Sequence, residues 1–235
     1  MPATDSSTPP AAVHRPGRPA DLPPAEILWA RWAVLATLLA TSARERTSEA
    51  HRTGFWLASD GDDCLRFDDA GCSWWALRRA PGGRCVLYGE DESSQVKWHA
   101  DKIDVLAGGP EWLPVQELRD LIASYEIGCV YWYENGTWAR APYPDDLQDD
   151  GLDCGMSRLI SVEEAAREVE PWLGEEPPGP DVVLTTARWA RLLSEAADGT
   201  LTEETLRGYL SGAGRAEAEI PLAVEVARRA GLLGG

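Results

Sequence analysis

The chain has 235 residues, of which 44% are hydrophobic, and a formal net charge of −17. This apolar content is sufficient for a folded core and excludes a wholly disordered protein. Most of the acid lies in residues 52–180, which contain 26 acidic and 11 basic residues together with eight of the eleven tryptophans. Because contacts to nucleic-acid phosphates require Lys and Arg, this charge argues against nucleic-acid binding and favours a basic partner.

Cysteine and hydropathy patterns bear on the cellular compartment. The five cysteines form no C-x-x-C pair, and an odd number leaves one thiol over from any disulfide set, so we expect reduced cysteines and a cytoplasmic protein. The longest apolar run, residues 27–40, is interrupted by Arg31 and is shorter than the roughly 20 residues of a membrane span. We therefore expect no membrane association.

The N-terminal part divides into a tail and a helix. Residues 1–22 are rich in proline and small polar residues, which predicts a flexible tail. From Pro24 the pattern changes, and residues 25–46 are predicted to form a helix that opens with proline in its first turn. This helix is apolar nearly all round, so it should pack on more than one side. A role of the helix in self-association is an alternative use of the same pattern.

A strand-rich block follows. Residues 54–58, 64–67, 73–79 and 84–89 alternate with Asp/Gly or Pro-Gly-Gly turns, which is typical of an antiparallel meander. Trp74 and Trp75 are adjacent in one predicted strand and must point to opposite faces. Both faces of this strand are therefore expected to be at least partly covered.

The clearest local signal is a hairpin. A predicted helix at 114–125 is followed by strands at 129–134 and 137–141, joined by Asn135-Gly136. This dipeptide favours a two-residue turn with positive φ at both positions. Such a turn would place Tyr133 opposite Trp138.

The remaining chain is predicted to be helical. An acidic loop at 142–155 leads to a helix at 162–172, and residues 177–180 (PPGP) form the predicted linker. Three short helices follow. The resulting fold is α+β, with a Trp-rich antiparallel sheet and packed helices in an acidic domain at 23–176, and a small helical appendage at 181–235.

Two groups of carboxylates are candidates for chemistry. Asp145, Asp149 and Asp153 could supply oxygen ligands to calcium or magnesium, but their spacing fits no defined metal-binding loop, and a solvated acidic loop is the favoured interpretation. The run of Glu90, Asp91 and Glu92 precedes a histidine in sequence, which could support general acid–base work. These carboxylates are the basis of our alternative function, a small carboxylate-dependent or metal-dependent hydrolase.

The leading hypothesis is a non-catalytic interaction module that needs no cofactor. Exposed aromatic residues rimmed by acid would suit an Arg-rich or Lys-rich partner surface. The predicted partner-binding residues combine the carboxylates at the end of the fourth strand with the aromatic hairpin: Glu90, Asp91, Glu92, Trp132, Tyr133, Glu134 and Trp138. Core packing is the competing interpretation of the aromatic members.

Two segments resemble a known family. Residues 54–68 read GFWLASDGDDCLRFD and residues 83–91 read GRCVLYGED. This order of an apolar strand, an Asp-ended strand and a glycine-led strand after a helix resembles the SUKH superfamily of bacterial toxin-immunity proteins. The resemblance implies a non-catalytic protein that binds and neutralises a toxin.

Overall fold

A single antiparallel sheet organises the molecule. The computed structural model describes residues 12–40, 53–59, 61–173 and 182–233. Six strands follow one another in sheet order, each antiparallel to the next. They are β1 (Gly54–Leu57), β2 (Cys64–Asp68), β3 (Ser73–Ala80), β4 (Arg84–Asp91), β5 (Cys129–Glu134) and β6 (Thr137–Arg140). The predicted meander is therefore confirmed and is extended at its far edge by the hairpin.

The described residues also form seven α-helices, which makes the fold α+β as predicted. The helices are α1 (Ala25–Leu39), α2 (Val115–Ala123), α3 (Leu152–Met156), α4 (Val162–Leu173), α5 (Val182–Ala197), α6 (Glu203–Gly212) and α7 (Ile220–Arg229). The predicted linker at 177–180 lies outside the described residues. None of the described helices combines the length and apolar character needed to cross a bilayer.

Both faces of the sheet are covered. Trp75 lies on one face and belongs to a core shared with α1, α5 and α7, whereas Ala76 and Val86 lie on the other face. That second face is covered by the chain between β4 and β5, including Leu106 and Leu118. The expectation that Trp74 and Trp75 face two covered sides is confirmed.

Helix α1 is the central helix on the first face. Thirteen of its fifteen residues are buried, because α4, α5, α7 and β1 surround it. The Trp29 indole donates to the carbonyl of Ala230 at 2.9 Å, and Arg31 donates to the carbonyls of Leu159 and Ile160 at 2.9 and 2.7 Å. The C-terminal helices therefore pack on the same core as the sheet, and α1 is covered by its own chain.

The β5–β6 hairpin has the predicted turn. Asn135 and Gly136 have φ values of 53° and 81°, and Tyr133 is the cross-strand partner of Trp138. Their ring centroids lie 5.1 Å apart, and the Trp138 indole donates to the carbonyl of Pro23 at 2.7 Å. Both side chains lie in the first-face core, the one that contains α1.

The segment before α1 has specific contacts. Gly17 donates its N–H to Asp150 Oδ1 at 2.8 Å, and the Tyr131 hydroxyl oxygen lies 2.8 Å from both Gly17 O and Asp150 Oδ2. Val13 and Leu22 are buried in the first-face core. Of the tail predicted at 1–22, residues 12–22 thus lie against the sheet, and residues 1–11 lie outside the described residues.

Candidate functional site

The three carboxylates predicted for partner binding have different environments. Glu90 is half-buried and forms an ion pair with Lys97. Asp91 is only 4% exposed, and it accepts hydrogen bonds from the Ser73 hydroxyl and the Ser93 N–H. Of the three carboxylates, Glu92 alone has an exposed side chain.

The predicted aromatic contacts lie inside the protein. Trp132, Tyr133 and Trp138 are each less than 9% exposed, and Glu134 pairs with Arg84 at 2.9 Å. The alternation of the hairpin strands places Tyr133 in the first-face core and Trp132 in the second. The hairpin aromatics consequently offer little area to a partner in this arrangement.

Two of the three aspartates considered as metal ligands face a guanidinium. Arg15 Nε lies 2.6 Å from Asp153 Oδ2, and Arg15 Nη1 lies 3.7 Å from Asp149 Oδ2, while Asp145 is exposed. Within the described parts of the chain, no three His, Cys, Asp or Glu residues are grouped so that they could hold a metal ion. Burial raises the pKa of the neighbouring Cys154 to about 11, so its thiolate is scarce near neutral pH.

Two aromatic side chains missed by the sequence analysis stand out on the surface. Trp98 is 73% exposed and Tyr125 is 62% exposed, yet their rings are stacked, with centroids 5.8 Å apart and an interplanar angle of 15°. We call these two residues the aromatic pair. Their combined exposed area is on the order of 300 Å². An exposed stacked pair differs from the scattered single apolar residues that are ordinary on protein surfaces.

The backbone of Tyr125 has a conformation that normally favours glycine. Tyr125 follows the C-cap of α2 with φ = 59°. Its N–H bonds to Ile122 O at 3.1 Å, and the N–H of Glu126 bonds to Leu121 O at 2.9 Å. These two bonds define a Schellman motif, whose left-handed position costs a non-glycine residue about 1 kcal/mol or more. The chain therefore places a large aromatic residue where Gly is least costly.

Two side chains donate hydrogen bonds to the backbone carbonyls of this turn. Lys97 Nζ donates to Tyr125 O at 2.8 Å, and the Trp74 indole donates to Glu126 O at 2.9 Å. Lys97 also pairs with Glu90, and burial raises the pKa of Glu90 despite this pairing. Glu90 thus supports the aromatic pair through Lys97.

Glycine at position 128 makes room for this support. A Cβ atom at Gly128 would lie 2.6 Å from Glu90 Oε2, well inside the contact distance of the two atoms. Gly128 also donates its N–H to Gly89 O at 3.0 Å, which fixes the entry into β5. The close approach of Glu90 to the backbone therefore depends on glycine.

Acidic residues are close in sequence to the aromatic pair. Glu126 is adjacent to Tyr125, and Asp101 lies three residues after Trp98; both are exposed, and neither forms an ion pair within 4 Å among the described residues. Asp146 is 80% exposed, and its Oδ1 lies 3.2 Å from Nε2 of His99, the residue that follows Trp98. The one exposed lysine nearby is Lys102. With Lys97 already paired with Glu90, the exposed charges that neighbour the pair in the chain are mainly negative.

This arrangement suits a cation lying against a ring. A guanidinium or ammonium group over the Trp98 or Tyr125 ring would gain a cation–π interaction and would be attracted by the flanking carboxylates. The comparisons add no assignment, since no protein-family model, curated protein or solved structure matches the chain. The geometry of the surface is the basis for a functional proposal.

Proposed function

We propose that this protein is a non-catalytic interaction module that binds a basic protein segment on the aromatic pair. The observation that carries the proposal is the stacked exposure of Trp98 and Tyr125. Trp and Tyr are the residues most often found as binding hot spots, and each offers a large rigid area with few rotatable bonds.

An Arg-containing or Lys-containing segment is the favoured partner chemistry. Its cation would contact the rings while Asp101, Glu126 and Asp146 attract it from the rim. A cation–π contact contributes about 0.5–1 kcal/mol when exposed and about 2 kcal/mol when water is excluded. The flanking charges would mainly accelerate association and select against acidic partners.

We further propose an immunity-like role in the cytoplasm. Toxin enzymes that act on nucleic acids carry basic surfaces, which would complement the net charge of −17. The resemblance of residues 54–68 and 83–91 to SUKH proteins supports the same role. Of the residues first predicted for binding, Glu92 is exposed, whereas Glu134 is partly exposed, pairs with Arg84 and lies at the opposite end of β5 from Tyr125.

Selection from a random-peptide display library tests the proposal without knowledge of the partner. We expect the wild-type protein to enrich sequences that contain Arg or Lys, with binding that weakens at high ionic strength. Trp98→Ala should lower the affinity for a selected peptide about 30-fold, which corresponds to the loss of about 2 kcal/mol at a hot spot.

Leu222→Ala is the matched control. Leu222 is 53% exposed and lies in α7, so its substitution also removes exposed apolar area. We expect peptide binding to be unchanged in this variant. Enrichment of acidic sequences, or equal losses in the Trp98 and Leu222 variants, would refute the proposal.

A further inference from the structure

An open groove lies between α5 and α6, away from the sheet. It has a volume of about 500 Å³, within the range of small-molecule sites. Its lining consists of Ala187, Arg188, Arg191, Thr205, Gly208 and Tyr209. Two arginines and a hydroxyl therefore meet in one concave surface of an otherwise acidic chain.

Arg188 is held in place before any ligand arrives. Its Nη2 donates to the carbonyls of Gly208 and Tyr209 at 2.8 and 3.1 Å, and its guanidinium carbon lies 5.4 Å from the centre of the Tyr209 ring. A Cβ atom at Gly212 would lie 2.1 Å from Arg188 Nη2, so this close approach to α6 requires glycine there. An arginine fixed in this way loses little side-chain entropy when it binds an anion.

Arg191 adds a second cation at the edge of the groove. Its side chain is 77% exposed, and its Nε donates to Glu195 Oε1 at 2.8 Å. The ion pair uses one edge of a guanidinium that has five N–H donors. The lining therefore contributes two guanidinium groups, one of which is paired with Glu195.

Gly208 also lines the groove. It lies inside α6, where glycine costs about 0.5–1 kcal/mol relative to alanine. A Cβ atom at this position would meet no atom within 4 Å, so packing does not require glycine. The absence of a side chain at Gly208 leaves this part of the groove unfilled.

We propose that this groove binds a small anionic ligand, a carboxylate or a phosphate monoester. Arg188 and Arg191 bind the anionic group, Thr205 contributes its hydroxyl, and Tyr209 with Gly208 forms the floor beneath the body of the ligand. The distant carboxylates of the chain oppose this weakly, because charges more than about 8 Å away are largely screened at physiological salt.

Calorimetric titration of the full chain tests the site with four probes of one shape: phenyl phosphate, benzoate, benzyl alcohol and benzylamine. We expect one of the two anions to bind and the neutral and cationic probes not to bind. The preferred anion distinguishes a phosphate site from a carboxylate site. Binding of neither anion above the level of benzyl alcohol would overturn the proposal.

Two variants separate the groove from general charge effects. Arg191→Gln should lower the affinity for the anion about tenfold, as expected for the loss of one charged hydrogen-bonding partner. Gly208→Leu should keep or raise the melting temperature without ligand but weaken binding at least tenfold by filling the groove. Trp98→Ala should bind the anion normally, so this result is independent of the peptide experiment. Wild-type affinity in both groove variants would reject the site.

Discussion

Replacement of Tyr125 by glycine should remove binding while leaving the fold almost unchanged. The substitution relieves a left-handed backbone cost of about 1–2 kcal/mol, but it also adds about 0.5–1 kcal/mol of unfolded-state entropy. Loss of the stack on Trp98 costs a further 0.5–1 kcal/mol or so at an exposed site. These terms nearly cancel, so we expect the free energy of unfolding in urea to stay within about 1 kcal/mol of wild type.

Ala70→Gly is the control that measures the backbone contribution to the free energy of unfolding. Ala70 is exposed and has φ = 67°, so its substitution changes the same backbone terms without removing a ring contact. We expect Ala70→Gly to stabilise the protein by about 0.5–1 kcal/mol. A free energy of unfolding for Tyr125→Gly that is more than about 2 kcal/mol below that of Ala70→Gly would show that the Tyr125 ring stabilises the fold substantially. That result would refute the prediction.

Two further predictions concern the interior. Gly155→Ala would place a Cβ atom 2.2 Å from the Trp75 indole nitrogen, and we expect it to lower the free energy of unfolding in urea by about 1–3 kcal/mol; an unchanged value would contradict the close packing. Burial alone would raise the pKa of Asp91, but hydrogen bonds from Ser73 and Ser93 outweigh it and hold the pKa below its usual range. This stabilisation is present above the ordinary aspartate pKa and is lost as the pH falls through the lowered folded-state value. Ser73→Ala should therefore destabilise the protein at pH 7 by about 1–3 kcal/mol and by less in acid, and equal losses at both pH values would show that the hydroxyl acts independently of the Asp91 charge.

The fold was predictable where local patterns determine it. Strand alternation and the Asn135-Gly136 dipeptide predict the hairpin and its cross-strand pair, because turn geometry and side-chain period need only neighbouring residues. The same alternation also requires some hairpin aromatics to face inward. It could not show that Trp132 and Trp138 are both buried, because that depends on packing from distant segments.

The aromatic pair was not predictable by the same means. Trp98 and Tyr125 lie in separate segments, which are joined by the hydrogen bond from Lys97 to the Tyr125 carbonyl, 28 residues away in sequence. The predicted helix at 114–125 also included Tyr125, whereas α2 ends at Ala123. Glycine is the usual signal for such a helix end, and here a tyrosine occupies that position. The available signal was a tryptophan among polar residues at 95–101.

Three unfavourable features converge at the aromatic pair. Tyr125 has a left-handed backbone, Trp98 exposes most of its indole, and Glu90 Oε2 is buried without a hydrogen-bond partner among the described residues. Each lowers stability, and the stacking between the two rings offsets only part of the cost. Local costs carried by residues that are linked through Lys97 are typical of binding sites. This convergence supports the aromatic pair, in preference to the buried hairpin, as the contact surface for a basic partner.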